Sequence, residues 1–362
     1  MSSEKLKGLK VAVVGPLPPP AGGMANQAQQ LVQLLEQAGV QVEFVRVNAP
    51  YVPGFVSSIK GLRAVFRLLP YVYNLWRKIR KVDVVHVLAN SGRSWHLFAA
   101  PAIWMAKLLK KPVVVNYRGG DARNFMKESW HLVAPTIRKT PVIVPSAYLR
   151  RMFEQYRVEA VIVPNILDLQ RFDFKQKQQG QSDAPHLVVT RNLEKIYGVD
   201  SVLRAFALIK AEHNGARLTV AGTGPEESEL KALAVSLGLQ DAVTFTGRLE
   251  LEEIAALYQQ ADIMLNASTI DNSPNSLIEA MASGVPVVST NIGGIPDLVT
   301  HGQSALLVTP GKPAEMAVAA LRILADDEIK EKLVTHGTIV AAGFDKRKVL
   351  DKLASVYQQA LA

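Results

Sequence analysis

Cysteine is absent from all 362 residues, so neither disulfides nor thiolate metal sites are available. The seven histidines are scattered and none falls in an H-E-x-x-H pair, which leaves a zinc site unexpected. No apolar run reaches the roughly eighteen residues that a spanning helix needs. The N-terminus, MSSEKLKGLK, has no apolar signal core. A chain made and kept in the cytoplasm, crossing no membrane, is the expectation. The dinucleotide fingerprint G-x-G-x-x-G is missing too, which argues against a nicotinamide dehydrogenase. Zinc-finger and RNP patterns are missing, as is aromatic interleaving, so nucleic acid ranks last among candidate partners.

Acidic residues are missing from one long window. Between Phe44 and Val82 there is no Asp or Glu, while eight Lys and Arg fall there. The bias extends further: up to Asn165 there are 23 Lys and Arg against 8 acids, and beyond it 18 against 24. A basic half attracts something anionic, such as phospholipid or a phosphorylated substrate. Within the window Lys60, Arg63 and Arg67 are spaced to share one helical face. Ile59, Leu62, Phe66 and Leu69 make the neighbouring apolar side, with Tyr71, Tyr73 and Trp76 beyond. Such a helix suits an anionic bilayer surface, here through the basic 55–81 region. An ordinary α/β helix, apolar to the core and basic to water, fits the same pattern.

What is present is organised around Leu265–Val299, LNASTIDNSPNSLIEAMASGVPVVSTNIGGIPDLV. A buried-strand pattern ends at Leu265, and a polar turn runs from Ser268 to Asn275. Pro274 and Ser276 open a helix through Met281, which Gly284 stops. Val285–Ser289 is a second buried strand, and Gly293, Gly294 and Pro296 start another helix. Strand, turn and helix follow one another twice, which aims backbone N–H groups and helix dipoles at one place and suits a phosphate. Asp271 and Glu279 lie in this site, and a carboxylate can accept hydrogen bonds from sugar hydroxyls. Phosphate donors beside hydroxyl acceptors suggest a nucleotide-sugar.

The length fits two α/β domains with large cores. Strands are expected at Lys10–Gly15, Val40–Val47, Asp83–Leu88, Pro112–Tyr117, Val142–Pro145 and Val161–Asn165. A second series is expected at His186–Thr190, Leu218–Gly222, Val243–Thr246 and Asp262–Leu265. Helices are expected at about Asn26–Gln37, through Ile209, onward to about Gly343, and at about Lys346–Leu361. The polar run Lys175–Ala184 reads as a surface linker. His86, inside an apolar strand, reads as a satisfied core or cleft histidine. Arg191 and Lys195 follow a strand end, where cations can clamp a diphosphate and offset charge on a departing nucleotide. Gly22 and Gly23 allow close approach of backbone to a ligand, and Gly222 and Gly224 form a weaker signal of that kind.

The central stretch resembles the donor-site signature of glycosyltransferase family 4. Glu279-Ala280-Met281-Ala282, Gly284, Pro286-Val287-Val288 and Gly293-Gly294-Ile295-Pro296-Asp297 carry the match. Related patterns cover nearly the whole chain. The resemblance implies a GT-B fold, two Rossmann-like domains facing across a cleft. They would be 1–165, with the helix 346–362 packing back on it, and 166–345, joined near Val163-Pro164-Asn165. It implies a metal-independent retaining transferase that moves a sugar from a nucleotide-diphosphate-sugar, with no cofactor. The acceptor would be lipid-linked or a polysaccharide precursor, met at the cytoplasmic face of the membrane. By this resemblance the base and ribose meet the Gly247–Leu249 region, with Arg248 and Leu249, and Glu279. The diphosphate meets Arg191, Lys195, backbone near Gly22, Gly23, Gly222 and Gly224, and helix starts at Pro274, Asn275 and Ser276. The transferred sugar lies near Asp271, Asn272 and Arg118.

Three positions depart from the family pattern. Asp271 stands where Glu is usual, two residues separate Lys195 from Gly198 where glycine usually follows directly, and Arg118 takes the place of a frequent His. The alternatives are a same-fold epimerase, a phosphorylase (which would need a pyridoxal lysine), or a catalytically idle nucleotide-sugar-binding protein.

Overall fold

The computed structural model describes residues 4, 6–19, 22–50, 62–120, 122–172 and 184–362. The chain divides into two compact units, Met1–Ile166 with Lys346–Ala362, and Leu167–Asp345. The linker expected at 175–184 and Lys60 of the basic window fall outside the described residues, except for Ala184.

The first unit opens with β1 (Lys10–Gly15), α1 (Gly23–Gln37) and β2 (Gln41–Arg46). It continues through α2 (Leu62–Ile79), β3 (Val84–Ala89), α3 (Ala100–Leu108, after a π-helical turn) and β4 (Val113–Tyr117). Then come α4 (Ala122–Ile137), β5 (Val142–Val144), α5 (Ala147–Glu154) and β6 (Ala160–Ile162). The strands form one parallel sheet in the order β2-β1-β3-β4-β5-β6. Parallel strands covered on both faces need continuous apolar runs. In β3, Val85 and Val87 enter one core and Val84 and Leu88 the opposite one, which is why VVHVLA shows no polar alternation.

The second unit repeats the scheme. It runs β7 (His186–Thr190), α6 (Val199–Glu212), β8 (Arg217–Ala221), α7 (Glu227–Ser236), β9 (Val243–Gly247) and α8 (Leu251–Gln260). It goes on through β10 (Ile263–Asn266), α9 (Asn275–Ala282), β11 (Val287–Thr290), the one-turn α10 (Ile295–Leu298) and β12 (Leu306–Val308). α11 (Pro313–Ala325) and α12 (Asp327–Ala341) complete it. The sheet order is β12-β11-β10-β7-β8-β9, again parallel. Strand β12 has no counterpart in the sequence expectation, because a three-residue run carries too little pattern to stand out. Pro274 caps α9 rather than opening it.

The terminal helix α13 (Lys346–Leu361) belongs to the first unit. Val349, Leu353, Val356 and Tyr357 are buried at helical spacing and join the core that holds Val84, Leu88 and Leu31. Tyr357 also makes a polar contact with the sheet: its hydroxyl lies 2.7 Å from His86 Nδ1. The other ring nitrogen of His86 faces Asn116 Nδ2 at 3.0 Å. The histidine is thus fully buried with both nitrogens satisfied, and burial lowers its pKa to about 3, so the ring is neutral.

Tyr357→Phe removes a partner from a buried N–H and leaves it unsatisfied, which should cost about 1–2 kcal/mol. Urea denaturation checks this, and an unchanged midpoint would show that the contact adds nothing.

Candidate functional site

In an open α/β sheet, ligands collect outside the carboxyl ends of the strands where the strand order reverses. In the second unit that point lies between β7 and β10. Arg191 follows β7 directly, and the Ser268–Asn275 turn follows β10. The sequence places these residues about eighty positions apart, and the parallel pairing of Ile263 with Leu187 and Met264 with Val188 brings them together.

The centre of the site is an ion pair. Arg191 donates from one terminal nitrogen to Asp271 Oδ2 at 2.6 Å, with both side chains only 12% exposed. Its other terminal nitrogen lies 3.4 Å from Ser276 Oγ, in the first turn of α9. The guanidinium stacks over the Tyr197 ring, 4.0 Å from its centroid, a cation–π contact that fixes the plane of the fork. Asp271 is held as firmly: Oδ2 also accepts from Ser268 Oγ at 3.2 Å, and Oδ1 accepts from the Asn272 N–H at 2.9 Å. Arg191 Nε is buried and has no hydrogen-bond partner among the described residues. A buried N–H on a cation without an acceptor is costly, and it favours an anion that could supply one.

The glycines of the central stretch act through close approach. The Gly294 N–H donates to the Asp271 carbonyl at 3.0 Å. A Cβ on Gly293 would collide with that same carbonyl, and one on Gly294 with the Asn272 carbonyl. The Gly-Gly turn therefore seats directly on the loop that carries the acid. Gly222, at φ +152°, does the same against the Arg191 carbonyl.

Glu279 sits one turn further along α9. Burial raises its pKa to about 7, outweighing the nearby Arg191, which acts the other way. Its carboxyl makes no hydrogen bond among the described residues, unlike Asp271, so it can accept from a ligand hydroxyl. Tyr258 of α8, which sequence reasoning passed over, pins this arrangement from beneath. Its hydroxyl meets Thr190 Oγ1 at 2.5 Å and donates to the Ser276 carbonyl at 3.0 Å, tying the end of β7 to the start of α9. Apart from its place on an amphipathic helix, nothing in the sequence marks it.

The remaining expected site residues stand in differing surroundings. Lys195 is exposed in a 3-10 turn. Arg248 is exposed and 3.7 Å from Glu250, with Leu249 half-buried beside it. Asn272 is buried, Pro274 caps α9 and Asn275 begins it. Gly224 packs against the Leu193 backbone. Gly22 caps α1 in the first unit and Gly23 begins it. Arg118 lies in that unit too, just beyond β4. It donates to Asn116 Oδ1, Gln27 Oε1 and Asn165 Oδ1. Of these partners, Asn116 lies in the expected strand Pro112–Tyr117 and Asn165 at the expected hinge, while Gln27 carried no signal. Among the described residues no group of three or more His, Cys, Asp or Glu could hold a metal ion, and no helix is long and apolar enough to cross a membrane.

Two family models match the chain: Glycosyltransferase Family 4 over residues 21–171, and Glycosyl transferases group 1 over residues 170–339. The chain belongs to glycosyltransferase family 4. The glycosyltransferase is 26% identical to N-acetyl-alpha-D-glucosaminyl L-malate synthase of Bacillus anthracis, over 95% of each chain. It is also 26% identical to alpha-monoglucosyldiacylglycerol synthase of Streptococcus pneumoniae, over 75% of this chain and 68% of that one. In structure it is similar to Anabaena HepE in complex with UDP and glucose, with a TM-score of 0.73 at 18% identity, covering 97% of this chain and all of the other. A sucrose-phosphate synthase from Thermosynechococcus elongatus gives a TM-score of 0.76 at 18% identity, over 97% and 98%. These likenesses establish the GT-B fold of two Rossmann-like domains, and the relatives make the protein a transferase of the nucleotide-sugar-dependent type.

The raised pKa of Glu279 has a consequence for stability. The folded chain keeps this proton up to about pH 7, whereas an unfolded carboxyl releases it near 4.5. Between those values the unfolded state binds fewer protons, so stability falls as pH rises through the window. Glu279→Gln should remove that slope and gain on the order of 2 kcal/mol above neutral pH relative to the parent, with no gain in acid. Ligand-free urea denaturation at both ends of the window measures it. Equal differences at both ends would show that the carboxyl is not held neutral.

Proposed function

We propose that the β7/β10 site holds the donor, with Arg191 gripping the diphosphate and Glu279 accepting ribose hydroxyls. The buried, unsatisfied Nε–H of Arg191 is the observation that carries this. Asp271, Asn272 and Arg118 meet the transferred sugar, and the base lies against Arg248 and Leu249. Lys195, which is exposed, also meets the diphosphate, with Gly222, Gly224 and the α9 start supplying backbone contacts and Gly22 and Gly23 a further one. Transfer proceeds with retention. The bond from the anomeric carbon to the leaving phosphate breaks, and the acceptor oxygen bonds to the same face. The acceptor's proton passes to the leaving phosphate, whose charge Arg191 stabilises without a metal. An idle donor-binding protein would need the same cluster, and turnover separates the two.

On this reading Arg191→Ala should lower transfer from the preferred nucleotide-sugar by about a hundredfold or more, with an unchanged fold. Activity should survive EDTA. Retention of more than about half the activity in Arg191→Ala, or a strict Mg²⁺ or Mn²⁺ requirement, would overturn the clamp.

The acceptor side is proposed to work at an anionic membrane, on a lipid-linked or polysaccharide-precursor acceptor. Helix α2 supports this in a different way from its charge pattern. Its core face is Tyr71, Leu75 and Ile79, while Phe66, Leu69, Tyr73 and Trp76 are exposed at helical spacing. Arg67 is half-buried, and the side chain of Arg63 lies outside the described residues. Trp104 and Leu108 on α3, which packs against α2, are also exposed. Arg77, Arg80 and Lys81 border the stripe, with Arg80 over the Trp76 ring at 4.2 Å. Aromatics flanked by cations suit the headgroup level, where each Lys or Arg contributes about 1 kcal/mol.

Leu69, Tyr73 and Trp76 replaced together by Ser should release the protein from anionic liposomes in co-sedimentation while UDP binding stays unchanged. Raising salt should weaken the parent's binding as the Debye length shrinks from about 10 Å to about 3 Å between 0.1 and 1 M. Equal binding to neutral and anionic vesicles, or none to either, would leave a soluble acceptor.

A further inference from the structure

Arg118 is the second arginine of interest, and its surroundings differ in kind from those of Arg191. Its backbone N–H donates to the Ala89 carbonyl at 2.9 Å, which places it at the carboxyl ends of β3 and β4. That is beside the β1/β3 reversal of the first sheet, where an open α/β sheet receives ligands. The guanidinium is half-buried and its acceptors are all uncharged amides: Asn116 Oδ1 at 3.3 Å, Gln27 Oε1 at 3.2 Å, and Asn165 Oδ1. Among the described residues no carboxylate pairs with it, Asp121 lying outside them. A cation taken out of water without a counter-ion is disfavoured, and burial lowers the Arg118 pKa to about 10.

The amides are themselves tied down, so the fork is built rather than incidental. Gln27 Oε1 also accepts from the Ile166 N–H at 2.8 Å, and its Nε2 donates to the Ile166 carbonyl at 3.0 Å. Arg118 can only donate, so Asn116 must present its oxygen to it and its Nδ2 to His86. That makes His86 Nε2 the acceptor and Nδ1 the protonated nitrogen, which donates to Tyr357. A single direction of donation therefore runs from Arg118 to the terminal helix. The cavity beside Arg118, about 10 Å³ and lined by Gln27, Asn116 and Ile166, has room for one water at most, so an anion is met on the exposed side.

We infer that Arg118 is a preorganised oxyanion site of the first unit, receiving a carboxylate or phosphate group of a substrate. The inference rests on the transferase reading, since the oxyanion belongs to either the acceptor or the donor diphosphate. The proposal changes the role of Arg118 from a contact with the transferred sugar to recognition of charge.

The test uses the full chain with three probes: UDP, inorganic phosphate and L-malate. If the acceptor supplies the oxyanion, phosphate or malate raises the melting temperature of UDP-saturated protein. Arg118→Gln then loses that rise while its UDP affinity stays within about twofold, and Arg204→Gln, an exposed arginine on α6, keeps it. If the donor supplies it, Arg118→Gln weakens UDP by about tenfold or more, and phosphate adds nothing over UDP. Arg118→Gln that matches the parent in all three titrations overturns the proposal. Should that variant fail to fold, the Arg118 Nε–H NMR signal of the parent, assigned with Arg118→Lys, decides the matter. It moves on adding UDP, phosphate or malate if the site is real, and stays fixed under all three if it is not. Failure of the transferase reading shows separately, as a parent protein that transfers no sugar from UDP-, GDP- or ADP-sugars, and the phosphate and malate titrations still stand without it.

Discussion

The pair between Arg191 and Asp271 is the contact around which the second unit is arranged. Two opposite charges, each 12% exposed, meet here at close range, and the carboxylate accepts two further hydrogen bonds. Much of the neighbourhood serves that end. The Gly293-Gly294 turn donates to the Asp271 carbonyl, Ser268 and the Asn272 N–H donate to its carboxylate, and Tyr197 fixes the plane of Arg191. The pair is also incomplete, since the buried Nε–H of Arg191 has no acceptor among the described residues. A site of this kind is stable when empty and still has something to gain from an anion.

Two arginines at two sheet ends thus show opposite solutions to one problem. Arg191 has a carboxylate and one orphaned donor, whereas Arg118 has neutral amides and no described counter-ion. Glu279 completes the contrast, because burial pushes its pKa up to about 7, whereas Asp271 is paired with Arg191. Two carboxylates eight positions apart in the chain therefore have different chemistry, set by packing alone.

The exposed apolar residues show a similar division. In the second unit they are single aliphatic side chains such as Leu208, Val235 and Val318. In the first unit they include Phe66, Tyr73, Trp76 and Trp104 on two contacting helices. Single exposed aliphatics need no explanation, but a recurrent aromatic stripe bordered by arginine is a surface with a use.

The sequence by itself determined the two-sheet α/β architecture and the family, because buried parallel strands leave unbroken apolar runs and the E-A-M-A and G-G-I-P-D stretches are long. It also marked Arg191, Asp271 and Glu279, which sit in loops and helix starts with recognisable turn residues. It could not rank them, since whether an acid is paired or held neutral depends on neighbours that arrive from elsewhere in the chain. Tyr258 and Gln27 gave no signal, being ordinary members of amphipathic helices until the fold set their polar ends against Ser276 and Arg118. His86 read as a satisfied buried histidine, but its partner Tyr357 lies 271 positions away. On α2 the exposed stripe is aromatic because the sheet beneath takes Tyr71, Leu75 and Ile79 as the buried side, while Lys60 and the Arg63 side chain of the expected basic face lie outside the described residues. Periodicity fixes that a helix has two faces; only the tertiary contacts decide which of them meets the core.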